Sequence, residues 1–214
     1  MTEASADHSA TAESAATACA TSEQRAPRLK SLAHVDTVAV LAGLSVWAAA
    51  DMWHAGTGLL IAAAVAVGSA LYVGYLLTAL IHEWGHYTGA RWSGAQTQLV
   101  RRKGFRLFRF TFDFDANTTA QFRAMSYGGN LAHWGVVVLL YLALPMTSPG
   151  QAALVAASFA FALGASVFEL SVISAVQRGA QPEAALRERA DAQTLQRGRW
   201  VTWGSGVLVF LALA

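Results

Sequence analysis

The chain has 214 residues, of which 55% are hydrophobic and only 13% charged. Soluble domains average about 45–50% apolar and about 25% charged residues, so this composition excludes an ordinary soluble globule and points to a membrane protein. The net charge is only +2, and a basic nucleic-acid surface is not expected from it.

In chain order, residues 1–33 read as a disordered cytoplasmic tail. The stretch MTEASADHSATAESAATACATSEQ is rich in Ala, Ser, Thr and Glu and has no apolar periodicity. It lacks the basic and apolar regions of a secretory signal. The only cysteine, Cys19, lies in this tail, which excludes an intramolecular disulfide and reads as a spectator thiol.

Five apolar segments follow. The first is Val35–Trp53, with Asp36 placed to cap it. The second, Thr57–Trp92, is long for one span and carries HEWGH near its far end. The third is Ala124–Leu144 and the fourth Ala152–Val176. The fifth, Trp200–Ala214, is shorter than the roughly 20 residues that a span needs. The expected fold class is an all-α polytopic membrane protein of about five transmembrane helices, with a small interfacial β-hairpin or sheet.

All 15 Lys and Arg residues fall in three stretches: Arg25–Lys30, Arg91–Arg123 and Arg178–Arg199. The loops HAGTG and MTSPG carry none. The positive-inside rule makes the three basic stretches cytoplasmic and the two short loops external. This predicts a multi-pass protein of the plasma (inner) membrane with its N-terminus in the cytoplasm. RRKGFRLFRF mixes basic and aromatic residues, but beside a membrane it fits anionic lipid rather than nucleic acid.

HEWGH is the feature that composition does not explain. On a helix His82 and His86, four residues apart, project from one face about one turn apart. Two imidazoles so placed suit one Zn²⁺, and Glu83 between them is placed as general base toward a water. Gly85, on the flank, leaves room for a neighbouring backbone. Two histidines and a glutamate in an apolar run are costly without a function.

A catalytic zinc site takes a third protein ligand and leaves one position open. Glu169, the only charged residue of GASVFELSVISAV, is the first candidate, at a depth similar to that of the histidines. His133 in YGGNLAHWG is the second. Asp113 and Asp115 in FTFDFD come third, and their alternation suggests ordinary strand positions. The segment 94–116 reads as a β-hairpin at the cytoplasmic interface, with Gly104 at its turn, where an extended substrate adds a strand. In SYGGN, Gly128 and Gly129 permit close backbone approach. Asn130 is placed to donate to an oxyanion, and His133 shares its face as a possible substrate contact.

With these parts in view, the chain resembles the site-2 protease family of intramembrane zinc metalloproteases over about Thr57–Val176. The resemblance implies His82 and His86 as zinc ligands and Glu83 as catalytic base. It also implies a transmembrane metalloprotease domain over 34–214, with a catalytic core at 57–176 and a cytoplasmic loop at 178–199. GGN looks like a changed form of the family's Gly-Pro-x-x-Asn element, without the proline and with the asparagine displaced. The family's usual Asp-Gly ligand pair is missing from the fourth segment, where Glu169 stands as substitute. The expected activity is zinc-dependent hydrolysis of peptide bonds in a membrane-protein substrate within the lipid bilayer.

Two rival readings differ in kind. One is an inactive relative that binds membrane segments without turnover. The other, a di-iron desaturase using H-x-x-x-H boxes, needs many histidines, and the chain has six.

Overall fold

The computed structural model describes residues 29–100, 108–190 and 192–214. Most of the tail, including Cys19, and the RRKGFRL stretch with Gly104 lie outside these residues. The described residues are 82% helical and form six helices and one two-stranded sheet. The helices are α1 (Leu29–Thr57), α2 (Leu60–Trp92), α3 (Thr119–Ala143), α4 (Pro149–Gln177), α5 (Pro182–Arg189) and α6 (Ala192–Leu213).

Helix α1 starts before the predicted Val35 and runs on to Thr57. Gly58, at φ +66°, then breaks the chain before α2 starts at Leu60. This left-handed backbone suits glycine, which has no Cβ to clash. Asp36 therefore sits two turns inside α1 instead of at its cap. Its buried carboxylate accepts from Trp84 Nε1 at 2.8 Å and from the Phe108 backbone N–H at 3.1 Å.

Helix α3 opens on a capping box: Thr118 accepts from the Gln121 N–H, and the Gln121 side chain accepts from the Thr118 N–H. Helix α4 starts on Ser148 with Pro149 in its first turn, the position where a missing N–H costs nothing. Ser148 Oγ also donates to Asp51 Oδ1 at 2.7 Å, fastening the start of α4 to α1.

The long helix α2 packs on α1, α3 and α4, while α4 also packs on α3, α5 and α6. Ala62, Ala66 and Ala70 are fully buried along one face of α2, and α4 buries Ala152, Ala153, Ala156 and Ala157. Small residues at such spacing let helix backbones approach closely. Large apolar side chains point outward instead, among them Leu60, Leu131 and Leu142, at 75% exposure or more.

Among the described residues three helices, α1, α2 and α4, are long and apolar enough to cross a membrane. Five were expected. Helix α3 is diluted by Ser126, Asn130 and His133, and α6 opens on Gln193, Gln196, Arg197 and Arg199.

The expected β element is present as a short two-stranded sheet. Strands β1 (Thr97–Leu99) and β2 (Phe110–Phe112) pair antiparallel, with Thr97 opposite Phe112 and Leu99 opposite Phe110. Asp113 and Asp115 lie beyond β2 instead of in a strand. Asp113 Oδ1 accepts from the N–H groups of Asp115 and Ala116 at 3.0 Å each, closing a turn.

The stretch 178–199 is not simply a loop. Pro182 and Glu183 open α5, and Arg187 and Arg189 end it, matching the helix dipole. Ala185 and Leu186 of α5 pack against a cluster containing Phe122 and Val172.

Candidate metal centre

Three helices each contribute polar residues three or four apart to one buried region: His82 and His86 from α2, Asn130 and His133 from α3, Ser166 and Glu169 from α4. This spacing puts each pair on one helix face. The close packing of α2 and α3 depends on glycine. A Cβ at Gly85 would stand 2.5 Å from the Gly128 carbonyl oxygen, and one at Gly129 would stand 2.5 Å from His86 Nδ1. Both are closer than real Cβ contacts, so the imidazole of His86 lies directly over bare backbone.

His82 Nε2 and His86 Nε2 are 3.1 Å apart. Glu169 Oε1 completes the triangle, 3.1 Å from His82 Nε2 and 2.7 Å from His86 Nε2. Among the described residues these three form the one group of His, Cys, Asp and Glu suited to hold a metal ion. They lie in a largely buried setting, with the Glu169 side chain 13% exposed.

The donor set fits a cation. The Nδ1 of His86 lies 2.9 Å from the Met125 carbonyl oxygen, which can only accept, so Nδ1 carries a proton and, in the neutral ring, Nε2 presents its lone pair. That lone pair faces another imidazole nitrogen and a carboxylate. Two imidazoles and one carboxylate are a known catalytic zinc set, and ligands about 2.0–2.1 Å from a tetrahedral ion stand about 3.3 Å apart. The observed edges of 2.7–3.1 Å are slightly tighter than this.

The other expected residues occupy different places. Glu83 is half-buried, and among the described residues no hydrogen bond ties it to the triangle. Its place next to His82 on α2 puts it beside the triangle rather than in it. His133 is fully buried, at 0% exposure. It does not join the triangle, because its Nδ1 lies 2.9 Å from Nδ1 of His82, on the far side of that ring from Nε2.

Asn130 does not face an open position. Its Nδ2 donates to Glu169 Oε2 and, at 3.1 Å, to the Ser126 carbonyl. Both amide hydrogens are thereby used, and neither is left for an oxyanion. Asp113 and Asp115 lie outside the group.

Sequence reasoning missed Ser166. Its hydroxyl contacts Asn130 Oδ1 at 3.0 Å, His133 Nε2 at 3.1 Å and Trp134 Nε1 at 2.9 Å. A usable signal was its position, three residues before Glu169 on the same helix face.

The apolar wall is aromatic. Phe161 meets His82 edge-on, with ring centroids 5.4 Å apart, and meets Tyr75 at 5.1 Å. Phe161 also lines a cleft of about 780 Å³ between α2, α4 and α6, together with Tyr72, Tyr75, Arg199, Trp203 and Phe210.

No protein-family model matches the chain, and neither a curated protein nor a solved structure does. The functional reading therefore rests on these residues.

Proposed function

We propose that the protein is a zinc-dependent intramembrane metalloendopeptidase that hydrolyses peptide bonds of membrane-associated substrates. The observation that carries this reading is the His82–His86–Glu169 triangle, built on an H-E-x-x-H helix, with edges of 2.7–3.1 Å. His82, His86 and Glu169 would hold the ion. When bound, zinc supplies Lewis acidity, polarising a carbonyl and acidifying a water.

The chain's own groups do the remaining work. Glu83 takes the proton of the attacking water on its carboxylate and delivers it to the leaving amine. Phe161 and the surrounding apolar side chains exclude bulk water, strengthening each electrostatic interaction in the site. The cleft that Phe161 lines offers a mostly apolar groove for a membrane segment. The β1–β2 sheet offers an extended peptide an edge on which to pair.

The membrane setting belongs to the same proposal. Five spans, α1 to α4 and α6, with the N-terminus in the cytoplasm of the plasma (inner) membrane, accord with the basic residues falling in three stretches. Outward-facing Leu60, Leu131 and Leu142 support lipid contact.

The test pairs metal content with hydrolysis in the purified protein. Wild type is expected to bind zinc and cleave a membrane-segment substrate. Glu83→Gln is expected to keep the zinc and lose about 10²–10⁴-fold in rate, because the glutamate serves the proton and not the ion. Cleavage by Glu83→Gln at the wild-type rate would remove the general-base assignment. Zinc binding without cleavage by wild type would favour the non-catalytic reading.

A further inference from the structure

We infer that His133, Ser166 and Asn130 are positioning residues that close a one-directional hydrogen-bond ring around the metal centre, fixing which nitrogen of His82 faces the ion. The inference rests on the proposed metal site and adds to it a role for three side chains that touch neither ion nor substrate.

The direction of each bond follows from groups that can act in only one way. Trp134 Nε1 can only donate, and it gives its proton to Ser166 Oγ at 2.9 Å. The Ser126 carbonyl can only accept, so the Asn130 atom 3.1 Å from it is the amide nitrogen. The other Asn130 atom is then the carbonyl oxygen, 3.0 Å from Ser166 Oγ. Ser166 must spend its single proton there.

Its remaining lone pair faces His133 Nε2 at 3.1 Å, so His133 must donate from Nε2. That leaves a lone pair on His133 Nδ1, which faces His82 Nδ1 at 2.9 Å. His82 must therefore donate from Nδ1, and in the neutral ring its Nε2 carries a lone pair toward the triangle. On the opposite side, Asn130 Nδ2 donates to Glu169 Oε2, leaving Oε1 as the oxygen that faces the two histidines. The path runs from His82 through His133, Ser166 and Asn130 to Glu169 with no donor meeting a donor.

The ring therefore delivers two ligands of the triangle in binding form, while Met125 does the same for His86. Partners of this kind hold a ligating imidazole in one tautomer and orientation, and their loss typically weakens metal affinity by about 10–100-fold. Two residues on α3 and one on α4 thus act on the ion through His82 and Glu169.

Two measurements test the ring. In metal-free protein labelled with ¹⁵N-histidine, nitrogen shifts should show a proton on Nδ1 of His82 and, on His133, a proton on Nε2 with Nδ1 bare. A His133 proton on Nδ1 would overturn the inference. In zinc titrations, His133→Phe and Ser166→Ala should each weaken affinity about 10–100-fold. His133→Asn should recover most of that loss, because its side-chain oxygen stands near the place of Nδ1 and still accepts from His82. Ser166→Thr, which keeps the hydroxyl, should do the same.

Equal zinc affinity in wild type, His133→Phe and Ser166→Ala would overturn the ring while leaving the metal site standing. A wild type that takes up no zinc would overturn the metal site, and the tautomer measurement would still decide the ring on its own.

Discussion

Glu169 is the residue on which the proposed metal site most depends, because one carboxylate oxygen faces both imidazoles and the other is held by Asn130. Glu169→Asp shortens the arm by one bond, withdrawing the oxygen from a site that tolerates only about 0.2 Å. Zinc affinity measured by competition with a chelator should fall between those of wild type and Glu169→Ala; wild-type affinity would show that the arm's length does not matter. Gly129 is the second sensitive residue. Its missing Cβ would lie 2.5 Å from His86 Nδ1, where the ring donates to Met125. Gly129→Ala should push the His86 ring off that bond and weaken zinc binding, with overall helicity by circular dichroism unchanged.

Among the elements, the small sheet is tied to the motif helix by a clamp. Asp36 of α1 accepts from Trp84, inside HEWGH, and from the Phe108 N–H just before β2. The Trp84 and Phe108 rings stack with centroids 3.9 Å apart, and Tyr87 meets Phe108 edge-on at 5.2 Å. Asp36→Ala leaves the buried Phe108 N–H unpaired, a cost of about 1–3 kcal/mol, and frees the half-buried Trp84 Nε1. Hydrogen exchange at the Phe108 amide should accelerate well before global unfolding; unchanged protection would mean that ring stacking alone holds the strand.

The helix spacing of His82 and His86 and the isolation of Glu169 in an apolar run were legible in the sequence because both are local patterns. The clamp, the partners of Asn130 and the use of Ser166 were not legible. Each depends on which faces of α1, α3 and α4 meet α2, which residue periodicity does not specify. Helix α5 escaped notice because its eight residues bury little more than Ala185, too little for an apolar stripe.

For the whole molecule, charge distribution and the metal centre make linked claims. Reporter fusions in HAGTG and MTSPG should read as external, and fusions near Lys103 or Glu188 as cytoplasmic. A cytoplasmic signal from MTSPG would reverse α4 and undo the proposed topology. The central claim concerns the ion itself: three acceptor atoms held 2.7–3.1 Å apart are stable together only with a cation, or a proton, among them. Zinc content of the purified protein, measured side by side for wild type and Glu169→Ala, separates these occupants. Stoichiometric zinc in wild type and almost none in the variant is the expected result. Zinc-free wild type, or a Glu169→Ala protein that keeps its full zinc, would contradict it.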